Sequence, residues 1–367
     1  MFKKLLPWYL LGLVVLSLAF IYGCGSAPTS GGGGGVSGRQ YYGMNSMGGT
    51  NKCTVTDTTF SLHFESGTME GITISGTITT LESGLLSGEI TSSSDLTRIS
   101  TGDVFYAYEV TNEVIVIGAG PANGQVIMIL PALSNIAPSA GSGEAIMIAP
   151  TDWANLLMAY MTTEITGSSS YTFNINVYDL TGEVLEVTVE TDYSFTGNRL
   201  YKTDEQPQAF VSPRGMFAGI IGKKDGTNWM DGGFAGAMYD STVSTLEIAD
   251  GSRCYIGMAF DRVISDNSTN VRAISVESYS PTLLKVSLMD VSSGAAIGAP
   301  MGIIEVGLMN NPSQGIIDAL CERDGITVPV KMVAYKYATD KYAVCGFTTL
   351  ESGPVSFFII EQEEPIL

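Results

Sequence analysis

Histidine is nearly absent from this chain of 367 residues, with His63 the single one. A Ser-His-Asp triad would have to be built on it. No G-x-S-x-G elbow, H-E-x-x-H pair or Walker-type loop is present either, so the common hydrolase, metalloprotease and nucleotide-binding signatures are missing. His63 stands between Leu62 and Phe64 in an alternating run, which predicts a strand with the imidazole on the face opposite both. Basic residues are scarce as well: 18 Lys and Arg against 37 Asp and Glu, for a net charge of −19. A surface this acidic excludes nucleic acid as a natural partner, and it disfavours docking of the protein body on anionic head groups.

Long apolar runs are confined to the N-terminus. Lys3 and Lys4 precede Leu10–Ile21, an apolar stretch of about a dozen residues, short of the roughly 20 a spanning helix needs. A small residue, Gly23, closes the segment, so 1–23 reads as a secretory signal removed on export. Removal of Lys3 and Lys4 leaves 16 basic residues against 37 acidic ones, a mature charge of −21 before the termini are counted.

Ile21-Tyr22-Gly23-Cys24 resembles the lipobox of bacterial lipoproteins. The resemblance implies cleavage before Cys24, acylation of its thiol and new amino group, and a membrane anchor of several chains where one would hold marginally. Tyr22 departs from the family pattern, which has a small residue there, and implies slow cleavage. Gly25 stands where an Asp would retain a Gram-negative lipoprotein at the inner membrane, so the resemblance implies the outer membrane as destination. Residues 24–54, with Gly31–Gly35 at their centre, are rich in Gly and Ser and read as a flexible tether.

Four further cysteines, Cys53, Cys254, Cys321 and Cys345, include no C-x-x-C pair, which leaves redox and zinc chemistry without a motif. Export permits disulfides, and four thiols allow three pairings. Proximity in sequence favours Cys321–Cys345, with Cys53–Cys254 as the remaining pair; buried free thiols are the other reading.

Beyond residue 55, short runs of Thr, Val, Ile and Tyr are punctuated by Gly, Asn and Asp, the pattern of antiparallel hairpins and meanders. The expected fold class is all-β, barrel- or sandwich-like, with one or two short helices. Two segments read as helix. Thr151 can cap 152–163, where Trp153, Leu156, Leu157, Tyr160 and Met161 form one stripe, and Ser313 can cap a shorter helix to Arg323 that Gly325 stops. The expected division is a β lobe over 55–150, a helix and linker over 151–169, and a second β lobe over 170–367.

Three hairpins look alike. Val110-Thr111-Asn112-Glu113, Val211-Ser212-Pro213-Arg214 and Ala338-Thr339-Asp340-Lys341 each lead into an apolar run, with Gly118, Gly219 and Gly346 eight residues after the start. Thr79-Thr80-Leu81-Glu82-Ser83-Gly84 recurs as Thr348-Thr349-Leu350-Glu351-Ser352-Gly353, which suggests a degenerate fourth copy over 68–84.

Chemistry-bearing clusters are weak. Asp204-Glu205 and the acidic C-terminus read as solvated runs, and the Asp225–Gly232 stretch lacks the terminal Glu of an EF-hand loop and reads as a hairpin turn. No catalytic residue, metal or cofactor is assigned. The chain therefore reads as a lipid-anchored envelope lipoprotein, a non-enzymatic interaction or structural module with the membrane and envelope proteins as partners. The alternative is a lipocalin-like barrel carrying a small apolar ligand, lined by Trp229, Met230 and Phe234.

Overall fold

The computed structural model describes residues 38–45, 49–67, 69–82, 84–110, 112–119, 126–135, 137, 141–148, 160–167, 170–178, 184–202, 209–213, 216–225, 228–238, 253–263, 268–280, 283–289, 296–310, 316–323, 326–338, 341–348 and 355–362. Residues 38–367 form one compact unit. The all-β expectation holds: the regular structure among the described residues is antiparallel strand, and no described residue is helical.

The strands close into three barrels of eight, each made from consecutive strands. The first comprises β1 (Arg39–Asn45), β2 (Thr50–Val55), β3 (Thr59–Phe64), β4 (Thr73–Glu82), β5 (Leu85–Ser93), β6 (Val104–Val110), β7 (Val114–Ala119) and β8 (Val126–Pro131). The second comprises β9 (Gly141–Ile148), β10 (Tyr160–Thr166), β11 (Tyr171–Tyr178), β12 (Val184–Thr196), β13 (Arg199–Tyr201), β14 (Ala209–Val211), β15 (Met216–Asp225) and β16 (Asn228–Met238). The third comprises β17 (Arg253–Val263), β18 (Ser268–Ser280), β19 (Leu283–Met289), β20 (Ala296–Asn310), β21 (Ile316–Arg323), β22 (Ile326–Ala338), β23 (Lys341–Thr348) and β24 (Val355–Gln362). In each, the eighth strand pairs back onto the first, which removes the exposed edges an open sheet would leave.

Several expectations change. The tether stops short of 54, because β1 and β2 lie inside that range and are integral to the first barrel. Three closed barrels stand where two lobes were expected. The second helix is a strand: Ile316–Arg323 pairs along its whole length with β22, and Arg323 faces Ile326 across Asp324-Gly325, a dipeptide that favours tight hairpins. Of the first expected helix, Tyr160–Thr163 belongs to β10 and pairs on both sides, while 151–159 lie outside the described residues. In Ile316–Arg323, non-local pairing overrides the local stripe.

The three similar hairpins occupy equivalent places. Val110, Val211 and Ala338 are the last residues of β6, β14 and β22, which are the sixth strands of their barrels, and the glycines eight residues on lie in the seventh. The suggested fourth copy does not fit this scheme. Its first occurrence spans the hairpin between a fourth and a fifth strand, whereas the second begins at the end of a seventh strand.

The barrels contact one another by a repeated rule. β1 and β8 lie against β14 and β15; β9 and β16 lie against β22; β17 lies beside β6. Strands one and eight of the first two barrels thus meet the sixth-strand side of the next, and strand one of the third lies beside the sixth strand of the first.

Candidate functional site

The first barrel shows how its lumen is filled. Register places Phe60, Leu62 and Phe64 of β3 inward, and Thr59, Ser61 and His63 outward and exposed, as the alternation predicts. Tyr41, Cys53, Phe60, Ile74, Leu86, Phe105, Ile115 and Met128, one from each strand, belong to a single buried cluster. Phe60 and Phe105 meet edge to face at 4.3 Å between ring centroids, although β4 and β5 separate their strands. Glycine makes this possible: Gly76 pairs with Phe60 and Gly88 with Phe105, and a Cβ at either would overlap the partner's ring. Two rings laid over two glycines close the lumen.

One pole of this lumen is charged. The Arg39 guanidinium forks onto the buried Glu109 carboxylate, Nε to Oε1 at 2.6 Å and Nη2 to Oε2 at 3.1 Å. The Tyr41 hydroxyl donates to the same Oε1. The hydrogen bond to Glu109 raises the Arg39 pKa, so the guanidinium stays charged. Burial, reinforced by the Glu109 charge, pushes the Tyr41 phenol and the Cys53 thiol up. Cys53 is thus a protonated thiol packed in a lumen, a setting that suppresses nucleophilicity. The other pole carries Asn45 and Asn51, whose side chains bond each other at 2.8 Å. Both clusters are built from groups of this one barrel, with Asn51 Nδ2 left without a partner among the described residues.

The sequence-expected site residues do not converge. Cys24 lies outside the described residues. Cys53 is a free, fully buried thiol, so the Cys53–Cys254 bridge is absent. Cys321 pairs with Val328 and Cys345 with Val333, which puts the two cysteines on either side of β22 and five residues apart in register. That is roughly 10 Å across and 16 Å along the sheet, well beyond the ~7 Å a disulfide tolerates. Trp229, Met230 and Phe234 lie in β16, which pairs with β15 and β9. Asp225 pairs with Asn228, which makes that acidic stretch the hairpin expected of it. Among the described residues no group of acidic, Cys or His side chains could hold a metal ion, and no helix is long and apolar enough to cross a membrane.

Sequence reasoning missed the second function of the first barrel's outer wall. Leu85, Tyr108, Val116, Ile129 and Met44 form one cross-strand row from β5 round to β1, on the outward face, and all are buried. This wall faces the other two barrels. The signal was present in Val114-Ile115-Val116-Ile117, a run apolar on both faces.

No family model matches the chain, and no curated protein does. Among solved structures, the chain is similar to a double mutant of transferrin-binding protein B from Haemophilus parasuis Hp5, at 10% identity and a TM-score of 0.27, over 86% of this chain and 65% of that one. It is also similar to isotype 1 transferrin-binding protein B from serogroup B Neisseria meningitidis, at 10% identity and a TM-score of 0.29, over 86% and 65%. The chain spans just under two thirds of the length of those structures. A TM-score this low gives no common architecture to argue from.

Proposed function

We propose that this protein is a lipid-anchored, exported envelope lipoprotein that acts as a non-enzymatic interaction or structural module, held at the outer membrane through acylated Cys24. The observation that carries the non-enzymatic part is the lumen of the first barrel, filled from wall to wall by Phe60 and Phe105. A catalyst or carrier needs a concave, solvent-reachable site, and this barrel spends its interior on packing. The anchoring part rests on Ile21-Tyr22-Gly23-Cys24 and on the Gly/Ser-rich residues that separate it from β1.

Cys24→Ala tests the anchor. The wild-type chain is expected in the membrane fraction and the variant in the soluble fraction after cell breakage. A variant that stays with the membrane at wild-type level defeats lipid anchoring.

A further inference from the structure

The first barrel contains a proline where its closure can least accommodate one. Met44 pairs with Ile129, and Tyr41 bridges Ala132. The same register sets Tyr42 opposite Pro131. The Leu133 amide donates to the Gln40 carbonyl at 2.8 Å, so alternate positions along this seam exchange hydrogen bonds, and Tyr42–Pro131 is one of them. Proline has no N–H to give. The Tyr42 carbonyl is therefore left without its ladder donor in a place where Tyr42 is buried.

The missing donor comes from the second barrel. Gly197 and Asn198 connect β12 to β13 with φ of 57° and 72°, the left-handed pair of a tight hairpin turn. Asn198 is fully buried, and its Nδ2 donates to Tyr42 O at 3.2 Å, Pro131 O at 3.1 Å and Ala132 O at 3.2 Å. Its Oδ1 has no partner, and the reversed amide would aim that oxygen at three carbonyls. The turn is itself fixed, since the Val211 amide donates to Asn198 O at 2.8 Å. Around it Arg199 stacks on the Tyr42 ring at 5.0 Å, and Phe210 packs on it at 5.2 Å.

We infer that the Gly197–Asn198 turn is a clasp that closes the first barrel: Asn198 supplies the donor that Pro131 removes, so the β1–β8 seam holds only while the second barrel is docked. The first two barrels then open together, and the seam is where opening starts.

Hydrogen exchange on the mature chain tests this. Asn198→Gly keeps the left-handed turn and deletes the amide. Peptides covering 38–46 and 126–135 are expected to exchange at least about tenfold faster, since one lost charge-neutral hydrogen-bond cluster of about 1.4 kcal/mol is a factor of ten, while 59–82 changes less than twofold. Pro131→Ala restores an N–H opposite Tyr42, so adding it to Asn198→Gly should return the seam most of the way to wild type. Unchanged seam exchange in Asn198→Gly overturns the clasp, as does a double variant that exchanges as fast as the single one. If Asn198→Gly alone does not fold, a folded double variant supports the clasp and an unfolded one overturns it.

Discussion

β3 and β7 are strands of six residues in the same barrel, yet they are written differently. Thr59-Phe60-Ser61-Leu62-His63-Phe64 alternates strictly, with one face in the lumen and the other in water. Val114-Ile115-Val116-Ile117 is apolar throughout and buried throughout, because its outward face lies in the wall turned toward the other barrels. A barrel needs one core, and this one has two. The comparison shows which face of a closed barrel carries a neighbour: strands three and four alternate, whereas the wall that runs from the start of β5 round to β1 is buried on its outward face.

The largest effect that sharpens this contrast belongs to the lumen. Phe105→Ala removes the ring laid over Gly88 and should cost about 3–5 kcal/mol, read as a lower urea midpoint of the mature chain. A loss under about 1 kcal/mol would mean the lumen is not the primary core. Next comes the outer wall: Val116→Thr keeps shape but buries a hydroxyl, expected to cost about 1–3 kcal/mol. A neutral result there would show the wall to be wet and the comparison false. The smallest change is expected on the exposed face, where His63→Thr should stay within about 0.5 kcal/mol; a larger loss would give the imidazole a partner that its exposure denies.

Much of the fold was legible because alternation is local. The run Leu62-His63-Phe64 reads as a strand from sequence and is part of one, β3. Closure was not legible, because the return of β8 to β1 or of β24 to β17 is a pairing across a whole barrel's length of chain. β1 and β2 were hidden by glycine: Gly43 and Gly49 made a strand pair look like tether, although Gly43 is needed where a Cβ would strike the β8 backbone. The Cys321–Cys345 expectation failed for a related reason, since nearness in sequence says nothing about an intervening strand such as β22. The repeated hairpins carried more than expected, for they marked the end of the sixth strand in each of three barrels before any barrel was in view. The sites fared worst. The network of Arg39, Tyr41 and Glu109 joins residues about 70 apart, with no motif to announce it.

The rule by which the barrels meet also limits what the molecule can join. A contact between unlike faces, strands one and eight of one unit against the sixth-strand side of the next, is the kind that builds an endless filament if the rotation per step fails to close. Here the three barrels are parts of one polypeptide, so their number is fixed by the chain. The contacting strands of the first barrel are β1, β8 and β6, the outward side chains of β3 are exposed, and β12 leaves Val187 and Val189 exposed. Barrels joined covalently in this way have the number of contacting units set by the length of the chain and not by its concentration.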